Sequence, residues 1–179
     1  MINKTKKLLL TLSLITSVWL SSSQGTEAYK LNGYKFSNPK NITYSMDPTM
    51  AKSQYKIPAN IGTWKTYCAN KFNFTKKGFG TNVNISYISC KSIDNGTYAV
   101  ASHSSNSKKT IRFYKGFFKS STTNSQRSET IVHETGHALG LAHTAAPINL
   151  SLSVMRAYGF NGKARPLSDD INGIKALYK

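Results

Sequence analysis

Residues 133–143 read His133-Glu134-Thr135-Gly136-His137-Ala138-Leu139-Gly140-Leu141-Ala142-His143. On an α-helix, His133 and His137 lie about 40° apart around the axis and roughly 6 Å along it. Both imidazoles can then reach one ion at zinc–nitrogen distances of about 2.0–2.1 Å. Had the helix run on, His143 would be rotated by about 240° and displaced by roughly 9 Å from His137, facing away from the ion. The helix therefore has to end first. Gly140 stands where the break is needed, because glycine takes the left-handed conformation that closes a helix and turns the chain back. Structural zinc usually fills four protein positions, whereas three histidines leave one coordination position open to water, the pattern of a catalytic site.

Zinc in such a site polarises a carbonyl oxygen and brings the pKa of a bound water toward ~7. Glu134 follows the first histidine directly. In H-E-x-x-H helices this carboxylate is the base that takes the water's proton and later delivers it to the leaving amine. The other two glutamates have weaker claims. Glu27 falls in the N-terminal leader, and Glu129 fits the first turn of the helix, where the dipole favours negative charge.

Twelve residues after His143 comes Met155, within Ser153-Val154-Met155, and Leu167 to Tyr178 reads L-S-D-D-I-N-G-I-K-A-L-Y. Taken with the 133–143 motif, in this order and spacing, these segments resemble the metzincins, and among them the matrixin-type zinc endopeptidases, the group of the matrix metalloproteinase catalytic domain. The resemblance is strong over Glu129 to Lys179; before that only the order of strands and helices compares. It implies an α+β metzincin fold: a twisted, mostly parallel sheet with a backing helix and an active-site helix, then a small C-terminal subdomain with a Met-turn and a closing helix. It further implies one catalytic Zn2+ on His133, His137 and His143, Glu134 as base, Met155 as the Met-turn residue beneath the metal, and protein or peptide substrates. Tyr98 to His103 is the strand to which a substrate peptide would add antiparallel, so Tyr98, Ala99, Val100 and Ala101 are candidate substrate contacts. Arg156 to Pro166 would wall the pocket for the residue after the scissile bond, with Arg156, Tyr158 and Arg165 tuning it.

The chain also departs from the family pattern. It has no P-R-C-G-x-P-D segment, so latency through a cysteine switch is not expected. Asp47 and Asp94 are the only aspartates between the leader and the motif, too few for calcium, which takes six to eight oxygens; structural Ca2+ or a second Zn2+ is not expected. Ala157 stands two residues after Met155, where astacins and serralysins carry a tyrosine ligand and matrixins usually a proline. Tyr158, one position later, is not assigned to the metal. His103 reads as a surface histidine at a strand end.

The N-terminus carries Lys4, Lys6 and Lys7, an apolar run from Leu8 to Leu20 and then small polar residues, the layout of a secretory signal peptide. That run is shorter than the ~20 residues of a membrane span. Cleavage after Ala28 divides the chain into a leader, 1–28, and one catalytic domain, 29–179, secreted and monomeric. Cys68 and Cys90 are the only cysteines; in an oxidising compartment they form either one disulfide between a helix and a strand end or two separate thiols. The formal charge is +17, and +15 once the leader's three Lys and one Glu are removed. Such a field favours an anionic surface polymer, membrane, glycan or acidic substrate. The lysines come in short scattered runs, which argues for solvated faces over a specific nucleic-acid groove. A cationic surface-binding protein on a metzincin scaffold, with little proteolysis, is the alternative reading.

Around the site, Ile61, Trp64, Cys68 and Phe72 recur three or four apart, which predicts an amphipathic backing helix over 57–74 with Pro58 in its first turn and Trp64 in the core. Strands are expected at 42–46, 82–89, 97–102 and 110–114, and a polar loop at 119–128. Ser168 is a good N-cap for the closing helix, Asp169 and Asp170 suit its first turn, and Leu167, Ile171, Ile174 and Leu177 make a stripe to be buried.

Overall fold

Alternation along the strands and heptad-like spacing along the helices produce a sheet covered on one face by two helices. The computed structural model describes residues 28–105, 107–144 and 152–179; the expected leader, apart from Ala28, lies outside the described residues. In chain order the elements are β1 (Lys30–Leu31), β2 (Ile42–Met46), α1 (Ile57–Tyr67), β3 (Phe74–Lys76), β4 (Ile85–Cys90), β5 (Ala99–Ser105), β6 (Lys108–Tyr114), α2 (Lys115–Phe118), α3 (Asn124–Ala138), β7 (Leu141–Ala142) and α4 (Ser168–Leu177). Five strands form one sheet in the order β3-β2-β4-β6-β5, in which only the β5/β6 pairing is antiparallel. β5 is thus an edge strand. β1 and β7 pair antiparallel as a separate two-stranded ribbon.

Ile85 and Tyr87 of β4, and Ile111 and Phe113 of β6, point to the helical face and are fully buried. α1 supplies Ile57, Ile61 and Trp64 to the same core, and α3 supplies Ile131, Val132 and Ala138. Two buried polar contacts set the layers in register: Trp64 Nε1 donates to the Val132 carbonyl at 3.1 Å, and the Tyr87 and Thr135 hydroxyls meet at 3.0 Å. Each gives an interior polar group the partner that burial demands.

Several boundaries differ from expectation. α1 ends at Tyr67, because Ala69 and Asn70 take left-handed backbone conformations, and Phe74 belongs to β3 instead. α3 begins at Asn124, inside the expected polar loop. Thr123 and Gln126 cap it reciprocally: the Thr123 hydroxyl accepts from the Gln126 N–H at 3.2 Å, and the Gln126 side chain accepts from the Thr123 N–H at 2.8 Å. α4 starts one residue earlier than an N-cap at Ser168 requires, with Leu167 in the capping position; the Leu167 N–H donates to the Asp170 carboxylate at 2.8 Å. Of its expected stripe, Leu167 and Ile174 are buried, while Ile171 and Leu177 are half-buried.

Cys68 and Cys90 are both free thiols, not the disulfide that the sequence allowed. The topology explains this. α1 runs back against the parallel strands over 11 residues, roughly 16 Å at 1.5 Å per residue, which carries Cys68 to the end of the sheet opposite the C-terminal end of β4, where Cys90 lies. A disulfide needs Cα atoms within about 7 Å.

Candidate active site

α3 carries His133 and His137 on successive turns, and the turn after it delivers His143. Gly140 has φ +106°, and a side chain there would meet the Tyr34 carbonyl at 2.2 Å and Leu177 at 2.6 Å, so both conformation and space require glycine. Beyond it, β7 pairs with β1, and Asn32 fastens the ribbon through its backbone to the Gly140 carbonyl and its side chain to the Leu141 carbonyl, both at 2.8 Å. The chain past His143 is held by the Thr144 N–H, which donates to the Met155 carbonyl at 2.9 Å.

The three imidazoles converge through their Nε2 atoms, 3.1 Å apart for His133 and His137 and 3.3 Å for His133 and His143. His133 Nδ1 faces the Val154 carbonyl at 2.7 Å and His137 Nδ1 faces the Leu141 carbonyl at 2.8 Å. A carbonyl can only accept, so both Nδ1 atoms carry the proton and both Nε2 atoms present lone pairs. Burial pushes His133 down to about 3 and His137 down to about 4, with neighbouring imidazoles adding to the shift of each, and burial also lowers His143. Two convergent lone pairs fit a cation between them. Tetrahedral zinc with bonds of about 2.0–2.1 Å calls for nitrogens ~3.3 Å apart. The donor set therefore fits zinc, and among the described residues these three histidines are a group that could hold a metal ion.

Glu134 lies beside the triad, not in it. Its Oε2 accepts the Ala101 N–H of β5 at 2.7 Å, and burial raises its carboxyl to about 7, against a smaller lowering by that hydrogen bond. Met155 is buried beneath the helix: a side chain at Gly136 would meet Met155 Sδ at 2.3 Å and the Trp64 ring at 2.8 Å. Asp170 holds the segment 153–155, accepting from the Ser153 hydroxyl at 2.6 Å and from the Val154 and Met155 N–H groups at 2.8 and 3.3 Å. Because Val154 in turn orients His133, the carboxylate of α4 is connected through one peptide unit to the imidazole. Desolvation raises the Asp170 carboxyl, with these hydrogen bonds opposing.

These groups open into a cleft of about 1020 Å³ that runs along β5. Tyr98, Ala99, Val100, Ala101 and Tyr158 all line it. Tyr114 donates its N–H to the Tyr98 carbonyl, and Ala101 turns its N–H to Glu134, so by strand alternation Ala99, Ala101 and His103 direct their backbone groups to the outer edge. Tyr158 is 88% exposed at the rim, where Tyr98 and Phe160 pack edge to face at 5.2 Å. At the other end His103 packs against Tyr34 at 4.6 Å, and the Tyr34 hydroxyl donates to the His137 carbonyl at 2.9 Å.

Two expected positions are corrected. Glu129 is not a first-turn residue; it is the sixth of α3, buried, and ion-paired with buried Arg156. Its carboxylate also accepts from the N–H groups of Asn161 and Gly162 at 3.0 and 2.9 Å, so it clamps the segment after Met155 to the helix. Arg165 is absent from the cleft lining; its guanidinium sits over the Tyr67 ring at 4.9 Å. Tyr34 went unnoticed in the sequence because no periodicity marks it. Glu129, four residues ahead of His133, shares its helix face, a spacing that could have placed it at the site.

No curated protein matches the chain. The family model described as Matrixin matches residues 35–179, a range that holds the five-stranded sheet, α3 and α4. The chain belongs to the matrixin family of zinc-dependent metallopeptidases, and its α+β architecture is the metzincin fold.

Proposed function

We propose that this protein is a secreted zinc endopeptidase that hydrolyses peptide bonds of extracellular proteins, with residues 1–28 as its signal peptide. The observation that carries the reading is the meeting of three imidazole Nε2 atoms with a buried carboxylate beside an exposed strand edge. His133, His137 and His143 would hold one zinc ion, which when bound supplies Lewis acidity toward a carbonyl oxygen and a water molecule.

The remaining work falls to the chain itself. The outward backbone groups of Ala99 and His103, with the Ala101 carbonyl, take an extended peptide as an added strand, holding it by main-chain pairing with little demand on its sequence. Val100, 42% exposed, and the Tyr98–Phe160 pair offer apolar surface to its side chains. The Glu134 carboxylate accepts a proton from water and returns it to the leaving amine, acting first as general base and then as general acid. The Ala101 N–H fixes the direction of that carboxylate. Met155 and Asp170 keep the histidine turn in place from below. A chelator-sensitive casein or gelatin assay tests the proposal: wild type should digest the protein, chelation should stop it, and Glu134→Ala should keep its metal while losing turnover. Equal digestion by wild type and Glu134→Ala would refute it.

A further inference from the structure

Among the described residues, sixteen lysines and arginines are exposed and Asp94 is the one exposed acidic side chain; it is already paired with Lys115 at 3.3 Å. The other five carboxylates are buried. Asp47 accepts from the Met50 and Ser89 N–H groups, Asp169 accepts from those of Ala28 and Tyr29, and Glu129, Glu134 and Asp170 serve the site. Acidic side chains are thus spent inside, and the exterior is left almost purely cationic. Solubility needs far less, since a small domain is well served by a net charge of about 2–8 with both signs mixed.

Six lysines, five of them exposed and Lys71 half-buried, gather at one end. Lys35 donates to the Leu177 carbonyl at 3.0 Å and Lys71 to the Tyr178 carbonyl at 2.6 Å, so both sit at the C-terminus of α4. Lys40 donates to the Asn70 carbonyl, and Lys65 to the Asn73 side chain at 3.4 Å, flanking a recess beside the end of α1. Lys175 is close enough to Cys68 to act on its thiol, and Lys179 follows Tyr178, which packs on Phe72 at 5.1 Å. One cation complements each helix terminus; six with no acidic side chain among them exceed that role. None of the six lines the cleft.

We propose that this end is a docking surface for a flexible linear polyphosphate-type polymer, one with a phosphate on each repeat, the anion that lysine commonly binds as a point charge. All six side chains are lysines, compact hydrated point charges suited to a mobile chain and lacking the planar fork that reads defined geometry. Binding there leaves the cleft open and does not depend on the peptidase reading.

The test uses the full chain carrying Glu134→Ala, titrated with sodium polyphosphate and, separately, with heparin, which distinguish phosphate from sulfate. Six contacts at about 0.7 released counterions each give a log–log salt slope near −4, a loss of roughly 300-fold between 50 and 200 mM salt. Adding Lys40→Ser, Lys65→Ser, Lys175→Ser and Lys179→Ser should flatten the slope to about −1.4, whereas Lys76→Ser, Lys91→Ser, Lys108→Ser and Lys119→Ser should leave it steep. If the first set melts early, Lys40→Ser with Lys179→Ser should still lower the slope by about 1.4. Equal losses in both sets, no binding to polyphosphate at 50 mM salt, or tighter binding to heparin, phosphatidylglycerol vesicles or duplex DNA at equal anionic charge would overturn the proposal.

Discussion

Replacing Glu129 by leucine should be among the most damaging single changes outside the metal ligands. The substitution leaves the Arg156 guanidinium buried without its counter-charge and frees the N–H groups of Asn161 and Gly162. Breaking a buried pair on one side costs about 3–5 kcal/mol. Arg156→Met strands the carboxylate and should cost a similar amount. In the double variant no charge remains buried. Gly159 and Gly162 are exposed and can turn to water, while the Ser153 carbonyl and the Asn161 N–H lose a partner, a penalty of about 1–3 kcal/mol. The two changes should therefore couple by about 3 kcal/mol or more, the double variant being more stable than either single one. Urea unfolding of zinc-loaded protein in a Glu134→Ala background, which prevents self-digestion, measures this. With a slope of about 2 kcal/mol/M, each single change moves the midpoint down by roughly 1.5–2.5 M. A loss under about 1 kcal/mol for Glu129→Leu, or a double variant as weak as the sum of its parts, would refute the reasoning.

Other outcomes follow from the same contacts. Asp170→Asn should cost about 3 kcal/mol, because the amide nitrogen cannot accept from the N–H groups that the carboxylate holds, and zinc affinity should fall about 10- to 100-fold through Val154 and His133; an unchanged affinity in a competition titration would break that link. Gly136→Ala should lose about 1–3 kcal/mol by crowding Met155 and Trp64, read as a lower thermal midpoint. Burial pushes the Cys68 thiol up to about 12, against an unfolded value near ~8.5, so the stability linked to it is fully present below about pH 8.5 and fades as pH rises toward 12. A thiol reagent at pH 8 should accordingly modify Cys90 alone in the native protein and both cysteines in urea; finding neither reactive in urea without reductant would mean a disulfide instead.

What the sequence made legible was whatever periodicity or stereochemistry enforces locally. His133 and His137 share a helical turn, Gly140 can be nothing but a break, and Ile85, Tyr87, Ile111 and Phe113 alternate as half-buried strands do. The unread parts depend on partners distant in the chain. β1 and β7 are two residues each, too short for any pattern, and exist through pairing across 110 residues of sequence. Glu129 looked like a helix-dipole residue because its partner, Arg156, lies 27 positions away. The start of α3 did have a signal, the Thr123 and Gln126 box, hidden in a run of Ser, Thr and Asn whose composition suggested a loop. The two cysteines carry no local cue to the sheet ends they occupy.

Metal analysis of the purified full chain after zinc loading, using Glu134→Ala alongside single His133→Ala, His137→Ala and His143→Ala changes in that background, tests the central claim most directly. One zinc per chain, retained by the glutamate variant and lost or greatly weakened by each histidine change, is the predicted result. A chain that takes up no zinc, or holds it equally well without His143, would contradict the account.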